Sequence, residues 1–458
     1  MFSSRKTAAP STGYNLTKSL RFRSSASAYL NRTSVASPTN NKIFTISMWV
    51  KRGIITDPSV FETLIGGASS QQDTFGFGIT TNNAGDLIEL RDANVGSYNL
   101  ITTQVFRDSS AWYHFVLAID TTQATSTNRV KLYVNGSQVT SFSTATYPAQ
   151  NYVFEWNAGS TASVIGRRSS GNSSWYFDGY QTEVNFIDSQ ALTPSSFGST
   201  NATTGVWQPA KYTGTYGTNG FYLPFTNTTS TTTLGYDFSG NSNNWTTNNL
   251  SLTAGSTYDS MTDVPTLTSA TTANYSVLNP LQISGVPSFN SSSVSKTFTN
   301  GNLNIAWGTG GYCGVTSTFI VPSSGKWYWE CTLQSANISA GISPSYSEYP
   351  SGSETNIRVD GSGIYTNGSS AQSGLAGYTT GDVLGMAWNA DTNSMQYYKN
   401  GSTYGTAQSY TKTTGVNYFP FFLNSTSVSS QTANVNFGQQ PFVYTPPSGF
   451  VALNTYNI

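Results

Sequence analysis

The sequence predicts an all-β chain of 458 residues, folded as two antiparallel β-sandwich (jelly-roll) domains joined by an extended linker. Three observations carry this. No window of about eleven residues holds apolar side chains at i, i+3, i+4 and i+7, the spacing that buries one face of a helix. Short runs of period-two alternation recur instead, bounded by Gly, Asn, Ser, Thr or Pro. Charged residues make up 9% of the chain and aromatics 14%, the reverse of a self-repelling disordered chain. No heptad repeat appears, so no coiled-coil shaft is expected.

The first sandwich is placed at 19–225. In Thr45–Val50, residues 46, 48 and 50 face one way and 45, 47 and 49 the other. Trp112–Ile119 is apolar on both faces, as suits a central strand between two layers. Val130, Leu132 and Val134 alternate and run into Asn135-Gly136. Both residues of such a turn take positive φ, which makes Asn-Gly a strong hairpin signal. Trp175–Phe186 alternates again.

Residues 226–290 are rich in Thr, Asn and Ser, and no Lys or Arg lies between Lys211 and Lys296. They read as an extended linker. Tyr236, Phe238, Trp245, Tyr258 and Met261 are too apolar for free coil, so the linker is expected to pack. The second sandwich is placed at 291–442. Trp327, Trp329, Cys331 and Leu333 alternate with polar and amphipathic neighbours, as do Leu384, Met386 and Trp388. Met395–Lys399 leads into a second Asn-Gly turn at Asn400-Gly401. Tyr418–Phe422 and Asn434–Gly438 read as late strands, and 443–458 as a tail.

The stretches FTISMWVKRG, AWYHFVLAID, RVKLYVNGSQV and WYFDGYQTEVNFIDSQALTPSSFG, in that order, resemble laminin-G-like sandwiches of the concanavalin-A type. The continuation GVWQPAKYTGTYGTNGFYLPF, with YDFSGNSNNW and YDSMTDVPT, resembles a module of tailed-phage virion structural proteins. SGKWYWECTL, GIYTNG, GDVLGMAWNADTNSMQYYKNG, YFPFF and VNFGQQPF resemble a SPRY domain. The resemblances imply two concanavalin-like and SPRY-like sandwiches that bind rather than catalyse. They imply a tail-fibre or tail-associated adhesin on the virion surface, assembled in the host cytoplasm, with a structural capsid or tail decoration protein as the alternative.

The residues restrict chemistry independently. His114 is the single histidine, and it sits in an apolar strand, so a structural role is expected and no catalytic residue is assigned. If Pro322–Gly325 closes a hairpin, Cys313 and Cys331 fall three residues out of register, about 10 Å apart. A disulfide needs Cα atoms within about 7 Å, so two free thiols are expected. The Glu-x-Asp-x-x-Glu pattern of related glycosidases is absent. Asp178 and Glu183, five apart, are expected on opposite faces, which disfavours a polysaccharide depolymerase. No calcium loop motif is present. No cofactor or metal is assigned, and calcium held by separated loops stays open. Trp175 and Tyr176, after a Gly-Asn-Ser-Ser loop, and Tyr346 and Tyr349, in a Ser/Pro loop of the second block, are the candidate ligand-binding residues. Exposed aromatics with few charges suit carbohydrate C–H faces.

The first 52 residues hold nine basic side chains and no acid, Asp57 being the first. This one-sided field suggests docking onto an acidic surface. Residues 1–18 read as a basic N-terminal arm that the sandwich does not need and that anchors the protein to other virion proteins. The basic residues are too scattered for nucleic acid. The chain has no run of about 18 apolar residues, so no membrane insertion is expected, and its start carries no secretory signal. Weak single sites call for many copies per particle or a homo-oligomer.

Overall fold

The computed structural model describes residues 13–33, 38–55, 61–68, 75–80, 85–92, 96–156, 159, 162–168, 175–282, 294–344, 356–361, 363–426 and 429–458. Among these every regular element is a strand or a short 3-10 turn. Two compact units form. One comprises Met1–Leu252 with Asp259–Thr268, the other Thr253–Tyr258 with Ser269–Ile458.

In the first unit one sheet runs in the order Ser137–Gln138, Val130–Val134, Trp112–Asp120, Ile43–Arg52, Gly179–Asp188, Ser19–Phe22, Ser260–Met261, with Phe221–Leu223 also pairing onto Gly179–Asp188. The other runs Phe142–Thr146, Asn99–Val105, Leu87–Arg91, Phe75–Thr80, Phe61–Ala68, Ala162–Ile165, Tyr29–Thr33, Thr246–Asn248. Alternation decides what lies between them. Phe44, Ile46, Met48 and Val50 share a core cluster with Phe115, Leu117 and Ile119 from the neighbouring strand and with Phe75, Phe77 and Ile79 from the facing sheet. The opposite face of the same strands is covered too. Val116 packs there with Ile187 and Phe197.

The Asn-Gly turns are as the sequence predicts. Asn135 and Gly136 have φ of 47° and 83° and join Val134 to Ser137, while Asn400 and Gly401 have φ of 51° and 77° and join Lys399 to Ser402. A third, Asn367-Gly368, at 49° and 75°, joins Thr366 to Ser369.

The second unit also has two sheets. The first orders Lys296–Thr299, Asn304–Trp307, Gln431–Asn436, Lys326–Leu333, Val383–Asn389, Ser394–Lys399, Ser402–Ser409; Val451–Ala452 pairs in parallel with Lys326–Leu333. The second orders Cys313–Thr316, Tyr418–Asn424, Ile338–Pro344, Ile357–Asp360, Gly363–Thr366, Ser369–Gln372. Cys313 and Cys331 thus lie in different sheets. The hairpin assumed from sequence is not formed, because the strand Cys313–Thr316 pairs with Tyr418–Asn424. Both thiols are buried and neither is in a disulfide, as expected for a different reason.

Two expectations need correction. Four of the nine basic residues in the first 52 are consumed inside the first unit, and Arg5 and Lys6 lie outside the described residues. Arg21 and Arg23 meet Asp259 at 3.2 and 2.7 Å, Lys51 meets Asp263 at 2.7 Å, and Arg52 meets Asp86 at 2.7 Å and Glu62 at 3.3 Å. These side chains are nearly or fully buried, so they present no field to a partner. Nor is the arm separate from the sandwich throughout. Leu16 is buried, its N–H donates to Thr266 Oγ1, and its carbonyl accepts from Thr268 Oγ1. Thr182 Oγ1 donates to the Lys18 carbonyl. Residues 1–12 lie outside the described part.

The stretch 226–290 divides between the units. Leu234 and Trp245 join the first core, and Ser260–Met261 adds a strand edge beside Ser19–Phe22. Tyr275, Val277 and Leu278 are buried in the second unit.

Candidate functional site

Trp175 and Tyr176 stand at the mouth of a two-stranded extension. Arg167 bridges Tyr176, the Arg168 N–H donates to the Trp175 carbonyl, and Phe177 N–H donates to the Gly166 carbonyl. Cross-strand pairing sends adjacent pairs to opposite faces. On one face the guanidinium of Arg91 lies 3.8 Å from the Phe61 ring centroid and 5.3 Å from that of Trp175, and the Arg168 guanidinium lies 4.6 Å from Trp175. On the other, Arg167 covers Tyr29 at 4.0 Å, and Tyr29 meets Tyr176 at 6.2 Å. Trp175 and Tyr176 remain half-buried. The result is a band of aromatic and guanidinium groups on the Trp175 face, with Phe61 buried within it, and a separate stack of the same kind on the Tyr176 face. Rings offer flat apolar surface, and guanidiniums offer a rigid fork of donors for hydroxyl or carboxylate oxygens. The sequence reading identified the rings but missed Phe61, Tyr29 and all three arginines. The Arg167-Arg168 doublet beside the loop was the available signal. Tyr346 and Tyr349 lie outside the described residues.

A second constellation forms around Glu183. The strand Gly179–Asp188 bulges here: its register against Ile43–Arg52 slips between Thr182 and Asn185, and Glu183 takes φ 53°. A β-bulge adds a residue and re-aims side chains. It breaks the simple alternation used to separate Asp178 from Glu183. Asp178 instead accepts from the Ser24 N–H and Oγ. Glu183 Oε1 accepts from Tyr222 Oη at 2.6 Å, Oε2 from Tyr14 Oη at 2.7 Å, and the two phenol oxygens are 2.7 Å apart. Three short O···O contacts need three protons, and the two phenols supply two. The ring closes fully when the carboxyl is protonated, one O–H donating to the next around the cycle. Burial pushes the Glu183 carboxyl up to about 7, against the opposing pull of the Tyr222 and Tyr14 hydrogen bonds and of Lys211. The cluster lines a cavity of about 240 Å³ with Leu16, Lys18, Lys211 and Phe238.

His114 is structural in its contacts. It is stacked 4.8 Å from Trp49 and 6.0 Å from Trp207. Trp207 Nε1–H donates to Nδ1, so the ring carries its proton on Nε2 and donates to Ser47 Oγ. Burial lowers its pKa to about 3, so it is neutral at ordinary pH. Burial also pushes both thiols up, although Lys296 opposes this at Cys313. Among the described residues no group of three or more His, Cys, Asp or Glu is placed to hold a metal ion.

Residues 24–197 match the concanavalin A-like lectin/glucanases superfamily, in its laminin-G type, and residues 307–440 match the SPRY domain. The chain carries a concanavalin A-like domain followed by a SPRY domain. No curated protein matches the chain. Among solved structures it is similar to the SPRY domain of human HERC1, at 16% identity over 32% of this chain and 96% of that one, TM-score 0.27. It is similar to the heptameric SAP-like pentraxin of Limulus polyphemus, at 18% identity over 40% and 75%, TM-score 0.27. It is also similar to domain 4 of AbnA, a GH43 extracellular arabinanase from Geobacillus stearothermophilus in complex with arabinotriose, at 17% identity over 34% and 65%, TM-score 0.24.

Proposed function

We propose that the chain is a non-enzymatic glycan-binding adhesin, displayed on the surface of a tailed-phage virion and engaging a host-surface glycan through the band around Trp175. The single observation that carries the binding reading is the half-buried Trp175 ring flanked by the Arg91 and Arg168 guanidiniums. The match of residues 24–197 to the concanavalin A-like lectin/glucanases superfamily supports it. The resemblance of Gly205–Phe225, Tyr236–Trp245 and Tyr258–Thr266 to a virion module supports the location.

The residues favour binding over hydrolysis. Hydrolysis of a glycoside needs an acid and a second carboxylate flanking one bond. Glu183 is instead closed into a ring with two phenols, and Asp178 holds the Ser24 turn. One shallow band binds weakly, so adhesion draws on many copies per particle or a homo-oligomer. The reading needs no cofactor, so binding is expected to survive EDTA.

The test is binding of the full chain to immobilised host polysaccharide. Trp175→Ala and Arg168→Ala are expected to weaken it tenfold or more while leaving the melting temperature within a few degrees. Unchanged binding in both variants would refute the site. If the wild type binds no host glycan yet labels the intact capsid or tail by immunogold microscopy, the decoration-protein reading replaces the adhesin.

A further inference from the structure

We propose that the Glu183 cavity is a second ligand site, separate from the Trp175 band, and that it takes one hexuronate residue. Four features of the cavity converge on that ligand class. The first is size. About 240 Å³ is room for a group on the order of one sugar ring.

The second is charge. Lys18 and Lys211 line the cavity, and among the described residues neither ammonium has a carboxylate within ion-pair distance. Lys18 is half-buried and Lys211 is exposed at the rim. Glu183, which Lys211 reaches only through space, is bound into its ring of hydroxyls. The cavity therefore presents positive charge and favours an anion.

The third is the hydrogen-bonding character of the ring. Each phenol commits its proton within the ring, so Tyr14 and Tyr222 offer acceptor lone pairs to ligand hydroxyls. An anion lacking hydroxyls, such as acetate, would leave these acceptors unused. The fourth is Phe238, 49% exposed beside the cavity, a flat apolar face for the C–H side of a sugar ring.

The backbone gives independent support. Glu183 holds φ 53° in a non-glycine residue, a left-handed conformation that costs of order 1–2 kcal/mol. Strain of this kind collects at functional positions, and a bulge in a central strand is a recurrent way to aim a side chain into a cleft.

The experiment titrates the full chain with glucuronate, galacturonate, glucose, galactose and acetate, read by ligand-observed NMR and calorimetry. At least one uronate is expected to bind at least tenfold more tightly than its neutral hexose and than acetate, and to weaken as salt rises. Lys211→Ala and Phe238→Ala, both at exposed positions, are expected to cost tenfold or more in affinity with melting unchanged. Tyr222→Phe should weaken binding as well. Uronate binding that survives both Lys211→Ala and Phe238→Ala lies elsewhere and overturns the proposal. So does acetate binding equal to uronate, or the absence of any uronate binding.

Discussion

Glu183→Gln tests the three-oxygen ring directly. In the folded protein burial draws the Glu183 carboxyl up from 4.5 to about 7. The folded chain therefore keeps a proton that the unfolded chain releases between those values. The difference is about 2.5 units, or about 3 kcal/mol at about 1.4 kcal/mol per unit, for a group fully screened from water. The sign follows from a raised acid: the contribution is present in full below pH 4.5 and is lost as pH rises through about 7. A glutamine fixes the protonated pattern, with Oε1 accepting from Tyr222 and Nε2 donating to the Tyr14 oxygen. The assay is urea unfolding of wild type and variant at pH 5, 6, 7 and 8 at constant ionic strength. The two curves should nearly coincide at pH 5, and the variant should be more stable by a few kcal/mol at pH 8. With two compact units, the comparison applies to whichever transition shifts between the proteins. Parallel pH dependences, or a glutamine variant less stable at every pH, would refute the ring.

Lys51→Met should destabilise the first unit by about 3–5 kcal/mol, because it removes the ammonium that pairs with the buried Asp263 carboxylate at 2.7 Å; a loss under 1 kcal/mol in urea unfolding would contradict it. Removing residues 2–18 should lower stability relative to removing 2–12. Burial of Leu16 contributes about 1.5–3 kcal/mol and the Tyr14 hydrogen bonds about 1 kcal/mol more, so equal melting of the two truncations would count against the packing described.

The parts legible in the sequence were those written locally. Alternation at residues 45–50 separated the two faces correctly, because side chains two apart share a face whatever the strand pairs with, and apolar residues on both faces of 112–119 marked a strand inside its sheet and covered on both sides. Asn135-Gly136 and Asn400-Gly401 named their turns, because the two residues alone determine the positive φ pair. What failed involved partners far along the chain. Arg21, Arg23 and Lys51 looked like a docking field because Asp259 and Asp263 enter more than 200 residues later, and Arg52 because its pairing with Asp86 and Glu62 depends on strands of the facing sheet. The cysteine argument assumed that neighbouring strands pair, whereas the chain switches sheets between Thr316 and Lys326. At the candidate sites the same division holds. Trp175 and Tyr176 were visible as aromatics at a loop end, but the guanidiniums packed against Trp175 come partly from Arg91, on a strand far away in sequence. The Glu183 ring was beyond reach, since Tyr14, Glu183 and Tyr222 span 208 residues and meet only because of a bulge. In a chain with so few charges, the ion pairs spent on folding leave a small set at the surface. Lys211, outside any described carboxylate pair, is where recognition of a polar ligand has charge left to use.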